Sequence, residues 1–302
     1  MKKVLSISLG SSQRDHQVKT TILGKKFFIA RRGTDGDKKK ASQLFSEMAD
    51  EFDVLGIGGM DLFVYAGNKR YQLRETKNII QGAGKTPVVD GSGLKNTLER
   101  KVLYYLSENK ILDFQKRKVL IVSAVDRFGM AETLKELGAD LRVGDLLFIL
   151  GLPLVFKSLG PLELIARIIA PVVVKLPLDL LYPTGEKQEK EKSAPRYIKH
   201  FREAEVICGD FHLIKRFSPP DLKDKIIITN TVTGKDVARL EKKGLKTLIT
   251  TTPNLGGRSF GTNVMEAVLV ALAEPDSVPL NEQLYLKLLK EINFTPRIEN
   301  LN

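Results

Sequence analysis

Lys118-Val-Leu-Ile-Val-Ser-Ala-Val-Asp-Arg-Phe-Gly129 decides how this chain is read. Four consecutive apolar residues, Val119 to Val122, stand between a lysine and a small-residue loop. Such a run suits a strand covered on both faces, as in a parallel sheet flanked by helices. A helical pattern over 130–137 follows, capped by Gly138, and a second strand over 141–143 leads to Asp145. Glu205-Val-Ile-Cys208, Lys225-Ile-Ile-Ile-Thr229 and Thr247-Leu-Ile-Thr250 are runs of the same kind. Helical stretches around 212–217 and over 234–243 lie between them. This rhythm predicts a Rossmann-like, doubly wound parallel sheet in the second half of an α/β protein, over residues 116–280.

Outward from that segment the pattern changes. Residues 4–9 read as a strand, 17–23 and 26–31 as a hairpin about Gly24, and 38–52 as an amphipathic helix after the turn Gly33-Thr-Asp-Gly36. Short strands over 54–57, 62–65 and 71–74 follow, then a helix over 75–81, a strand over 87–90 and a helix over 95–108. These predict a mixed-sheet α/β domain of substrate-binding type over 1–115. Residues 281–302 are expected to form a C-terminal helix and tail.

Composition narrows the function classes. The single cysteine, Cys208, excludes an intramolecular disulfide, and His16, His200 and His212 lack metal-ligand spacing, so no metal site is expected. Cys208 lies in an apolar strand and reads as an inert core residue. The formal charge of +12 is spread through the chain, as in Gly185-Glu-Lys-Gln-Glu-Lys-Glu-Lys192, and no nucleic-acid-binding signature accompanies it. The expected partner is therefore a small anionic molecule and not nucleic acid. The start, MKKVLSISLGSS, reads as a first strand because its apolar run breaks at Gly10, which suggests a cytoplasmic protein. The apolar stretches 146–156 and 161–174 fall short of the roughly 20 residues that a membrane span requires. They read as buried helices, with a homodimer interface as the alternative.

Three loops carry candidate chemistry. In a dinucleotide fold the loop after the first strand admits pyrophosphate to a helix N-terminus, and an acid roughly 20 residues on meets the ribose. Here Ser123, Asp126, Arg127, Phe128 and Gly129 form the loop and Asp145 stands where the acid belongs, which would favour NAD over NADP. The glycine fingerprint is absent, so the loop either takes a nicotinamide cofactor or serves another ligand or the fold alone. Asn230, Thr231 and Thr252, at neighbouring strand ends, would face the same cofactor, and the strand end Gly209-Asp-Phe-His212 should point to the same crevice.

The second loop, Asp90-Gly-Ser-Gly-Leu-Lys95-Asn96, places Lys95 in an expected first helical turn, where ammonium and backbone amides together favour an anionic group. Ser92 and Asn96 flank it. Its structural alternative is a plain helix start with an exposed lysine. The third loop, over 250–263, leaves the last sheet strand with hydroxyls and three glycines and offers Arg258, Ser259 and Asn263 to a substrate. Residues 181–187 read as a lid or a surface linker.

The motifs VVDGSGLKNTLER (88–100), VSAVDRFGMAETL (122–134), LYPTGEKQ (181–188) and TTTPNLGGRSFGTNVMEA (250–267) resemble a group of bacterial proteins labelled quinate 5-dehydrogenase. The resemblance runs from SISLGSS to FTPRIENLN. It implies an N-terminal substrate domain, a C-terminal nicotinamide domain, and an NAD(P)-dependent oxidation of a hydroxylated carboxylic acid such as quinate. In that implied mechanism Lys95, assisted by Asp90, shuttles the hydroxyl proton. The missing glycines keep a second expectation in play, a non-redox ligand-binding or sensory protein on the same fold.

Overall fold

The computed structural model describes residues 1–66, 69–178, 194–252, 254–255, 258–259, 261–273 and 278–302. It is an α/β structure that separates into two compact units. One comprises Met1–Thr97, Ile169–Gln188 and Gly261–Phe294; the other comprises Leu98–Ile168, Glu189–Phe260 and Thr295–Asn302. Both are discontinuous in sequence, whereas the linear division at 115/116 and 280/281 assigns each stretch once.

In the first unit β1 (Lys2–Ser8), β2 (His16–Ile22), β3 (Lys25–Gly33), β4 (Val54–Gly58) and β7 (Val88–Val89) form a mixed sheet ordered β2-β3-β1-β4-β7. Only β2 runs antiparallel. The β2–β3 hairpin turns at Leu23 and Gly24, both with positive φ (49° and 73°), the two-residue geometry whose twist matches its strands. Five successive residues of β1 are buried, from Val4 to Ser8. A small hairpin, β5 (Phe63–Ala66) and β6 (Lys69–Gln72), follows β4. The helices are α1 (Lys38–Met48), α2 (Arg74–Ile79) and the N-terminal part of α3 (Ser92–Glu108). Leu5, Ile7, Phe45, Leu55 and Ile57 are at the centre of one core cluster.

The second unit holds β8 (Lys118–Ile121), α4 (Phe128–Glu136), β9 (Asp140–Val143), the short α5 (Asp145–Phe148) and α6 (Gly160–Val173), whose last residues belong to the first unit. After the undescribed stretch come α7 (Pro195–Glu203), β10 (Val206–Cys208), α8 (Phe211–Phe217), β11 (Ile226–Thr229), α9 (Gly234–Lys242) and β12 (Thr247–Thr250). Another small hairpin, β13 (Asn254–Leu255) with β14 (Arg258–Ser259), ends this run. The chain then gives α10 (Thr262–Leu272) and α11 (Glu282–Glu291) to the first unit and β15 (Arg297–Asn300) to the second. The sheet is ordered β15-β12-β11-β10-β8-β9, parallel except for β15. Five parallel strands in the order 2-1-3-4-5 define a doubly wound sheet whose direction reverses between β8 and β10. Phe148, Tyr197, Phe201 and Phe217 pack as an aromatic group, with Tyr197 and Phe217 centroids 4.4 Å apart.

Local expectations shift at three places. α3 starts at Ser92, not Lys95, because Asp90 and Glu266 accept the amide protons of Ser92 and Gly91 and so support an earlier first turn. The expected C-terminal tail ends in a strand, since the open edge of β12 pairs with 297–300 antiparallel. The two apolar stretches are not buried helices. Residues 149–156 leave helical geometry after α5, and Leu150, Leu154, Leu164 and Ile168 are more than half exposed. Among the described residues no helix is long and apolar enough to cross a membrane.

Candidate functional site

In the first unit the carboxyl ends of β1, β4 and β7 converge. Gly59, just after β4, has φ +72°, and a Cβ there would stand 3.1 Å from Gly10 N, so glycine lets the two strand ends close up. The next turn presents Asp61, whose Oδ1 receives Lys95 Nζ at 3.1 Å. Both side chains keep a small exposed fraction, 12% for Lys95 and 17% for Asp61. A partly exposed ammonium paired with a carboxylate can still reach an incoming carboxylate or hydroxyl.

Asp90 does different work from the role expected for it. Its Oδ2 accepts the N–H of Leu62 at 2.7 Å and of Phe63 at 3.3 Å, and its Oδ1 accepts that of Ser92 at 2.8 Å. It therefore braces the turn bearing Asp61 against the start of α3, and Asp61 is the acid that meets Lys95. Lys95 itself sits one turn into α3 with its N–H bonded to Gly91 O, so it is not among the open first-turn amides. Asn263, in the first turn of α10, donates from Nδ2 to Ser6 Oγ at 2.7 Å. Ser92 is half-buried and Asn96 exposed.

Glu266 completes this edge. Its Oε2 accepts Gly91 N–H and its Oε1 accepts the Tyr285 hydroxyl, both at 2.6 Å. Burial, reinforced by the Asp90 charge, pushes its carboxyl up to about 7 against the opposing pull of Tyr285, Gly91 and Lys95.

In the second unit the sheet reverses between β8 and β10, where open α/β sheets take ligands. The loop after β8 is held from below by Asp145, whose Oδ2 accepts Ala124 N–H at 2.9 Å and whose Oδ1 accepts Val125 N–H at 2.8 Å. Expected at a ribose, Asp145 is 3% exposed and braces the loop itself. Burial pushes its carboxyl up to about 6 despite those two amides. Arg127 is buried at the centre, paired with Glu99 of α3, 3.5 Å from Asp210 and 3.9 Å from Asp126.

Around it Ser123 Oγ accepts Asp210 N–H at 3.2 Å, Asn230 Nδ2 donates to Asp210 Oδ2 at 3.4 Å, and Thr252 Oγ1 donates to Asn230 O at 2.8 Å. Phe128 is half-buried and opens α4, Gly129 is buried behind it, and Thr231 is half-buried after β11. Arg258 and Ser259 form β14, and their side chains lie outside the described ones, as does the expected lid at 181–187.

These residues do not fit a dinucleotide bound in the fingerprint manner. Two amides that would cradle pyrophosphate are given to Asp145, and the guanidinium of Arg127 is buried against Glu99. Burial also pushes the Cys208 thiol up within β10, consistent with an inert core residue. Among the described residues no group of three or more His, Cys, Asp or Glu could hold a metal ion. A Tyr-x-x-x-Lys spacing, Tyr65 to Lys69, spans the β5–β6 hairpin and offers no pair on one helix face.

Asp61, Glu99 and Glu266 escape sequence reasoning. Asp61 had a signal in the Gly58-Gly59 pair before it, and Glu266 in being a lone carboxylate in the apolar run of α10. Glu99 had none, standing on an ordinary helix.

Fold and edges together define an α/β protein of two sheet-based units, each with a polar cluster at its strand ends. Residues 93–301 match the family described as "Domain of unknown function (DUF8754)", and the chain belongs to that family. Residues 3–90 match "Domain of unknown function (DUF8753)". A search of curated proteins gave no match. Similar solved structures include a hetero-hexameric glutamate dehydrogenase from Thermus thermophilus, 14% identical with a TM-score of 0.43 over 97% of this chain and 74% of that one. An NAD-dependent malic enzyme from Thermotoga maritima is 12% identical, with a TM-score of 0.33 over 96% and 84%. A galactofuranose binding protein is 11% identical, with a TM-score of 0.34 over 97% and 100%. None of these likenesses is close enough to transfer a ligand or a reaction.

Proposed function

We propose that this protein binds a small hydroxylated carboxylic acid of the quinate or shikimate kind at the strand ends of its first unit. The observation that supports this is the Lys95–Asp61 pair, 3.1 Å apart and open to solvent by a small fraction. An ammonium supplies donors for a ligand carboxylate, and a carboxylate accepts from a ligand hydroxyl, so the pair is complementary to a hydroxy acid. Asp90 and Glu266 hold the two arms of the pair through backbone amides and leave the recognition to Lys95 and Asp61. Calorimetric titration with quinate and with shikimate tests it. One equivalent should bind, and Lys95→Met should abolish the heat; no binding of either acid at any pH sinks the proposal.

The same pair also suits a dehydrogenase of the quinate type, because a positioned lysine can exchange the proton of a substrate hydroxyl. A nicotinamide nucleotide, NAD or NADP, would supply the hydride acceptor, and the engagement of the Ala124 and Val125 amides by Asp145 speaks against it. Absorbance of reduced nicotinamide during incubation with quinate separates the two. Turnover that falls about 10²–10⁴-fold in Lys95→Met favours the dehydrogenase. Absent turnover, with quinate still bound, favours the non-redox binder. Asp126→Gly sharpens the point: where NAD occupies the loop after β8, its affinity should rise as a repelling charge is removed.

A further inference from the structure

Glu266 is the most deeply buried acid among the described residues of the first unit. Its two oxygens reach Gly91 N–H, which opens α3, and the Tyr285 hydroxyl of α11. Two glycines show how tightly α3 meets α10. A Cβ on Gly91, at φ +92°, would stand 2.8 Å from Asn263 N, and one on Gly93 would meet Glu266 Oε1 and come within 2.9 Å of the Tyr285 hydroxyl. The turn that carries Lys95 is thus seated directly on the Glu266 carboxyl.

The ionisable groups set against Glu266 are Asp90 from the loop after β7, Lys95 from α3 and Tyr285 from α11. β1 and β4 also pack on α10, but through Ser6, Gly56 and Gly58 near Asn263, none of which ionises. Asp61 and Asp90 bring two carboxylates to the neighbourhood of Lys95, and Glu266 brings a third.

We propose that Glu266 is the positioning residue of the Lys95 site, and that a proton taken up there accompanies capture of the ligand carboxylate. The coupling to a ligand rests on the hydroxy-acid function argued above; the seating of Lys95 on Glu266 does not. An anion entering beside Lys95 adds a negative charge near Glu266, and protonating the buried acid removes one. Burial holds this carboxyl near neutrality, where small pH changes move it. Affinity for the acid therefore rises as pH falls, by about tenfold from pH 8 to pH 6 if binding requires the proton.

Two measurements on the full chain separate the parts. Without ligand, the Gly91 amide and Lys95 side-chain NMR signals should titrate together with a midpoint near neutrality. That step should vanish in Glu266→Gln and move upward in Tyr285→Phe, which loses a donor to the charged form. A Gly91 amide that stays flat in wild type overturns the proposal. Calorimetry with quinate at pH 6 and pH 8 should show the tenfold rise in wild type and none in Glu266→Gln; equal affinities at both pH values overturn the proton coupling. If Gly91 and Lys95 titrate together while quinate fails to bind at either pH, Glu266 stands as the positioning residue and the hydroxy-acid function falls.

Discussion

The strand ends of the two units use the same ingredients, carboxylates around a cation, to opposite effect. In the first unit Asp90 is engaged by backbone amides and Glu266 by the Gly91 amide and the Tyr285 hydroxyl, while Lys95 and Asp61 keep an open fraction. In the second unit Asp145 likewise braces a loop, but the cation, Arg127, is itself sealed, 1% exposed and paired with an equally buried Glu99. A carboxylate bound to two amides is a strut, and a buried ion pair is a strut as well, since either partner alone would be an uncompensated charge. Recognition chemistry is left to charges that are paired yet reachable. On that basis the first edge is the one we propose for the ligand, and the charged centre of the second holds its own loop together.

Breaking the sealed pair should have the largest effect. Arg127→Met leaves Glu99 buried without a cation and should cost about 3–5 kcal/mol in urea unfolding; a cost below ~1 kcal/mol would mean that Arg127 is available to a ligand after all. The next effect is a pH dependence. Asp145 and Glu266 both have carboxyls raised by burial, to about 6 and about 7. Each binds its proton more tightly in the folded chain, so its contribution to stability is fully present below the unfolded carboxyl range and is lost as pH rises through the folded value. Between pH 5 and pH 8 wild type should therefore lose about 2–3 kcal/mol more than Glu266→Gln, measured by unfolding at both pH values.

Asp145→Asn tests the strut in the second unit. An amide group can accept only one of the two N–H groups that Asp145 now serves, and it turns a donor toward the other. The expected cost is ~2 kcal/mol in chemical denaturation, and an unchanged midpoint would show the loop to be held otherwise. Lys95→Met should lie at the small end for stability, under ~1 kcal/mol, because its partner is partly solvated. A larger loss would make Lys95 a strut like Arg127 and erase the contrast. Smallest of all should be Glu163→Ala, which removes an i,i+4 partner of the exposed Arg167 and should shift stability by at most ~0.5 kcal/mol.

What the sequence determined by itself was the alternation of elements. Runs such as Val119 to Ile121 are buried on both faces and say so by being apolar throughout; the hairpin turn at Gly24 and the stops at Gly138 and Gly244 lie in local positive-φ chemistry. Loops at the right strand ends are legible for the same reason, and Lys95, Ser123, Arg127 and Asn263 stand out in them. Their partners do not. Asp61 lies 34 positions from Lys95, Glu99 28 from Arg127, and Glu266 175 from Gly91. Periodicity records which face of an element is covered, but a carboxylate in sequence looks alike whether it will brace amides, neutralise a buried guanidinium or meet a ligand. That choice is made only when folding sets desolvation and neighbours, so the roles of Asp90, Asp145 and Glu266 were decided by tertiary structure.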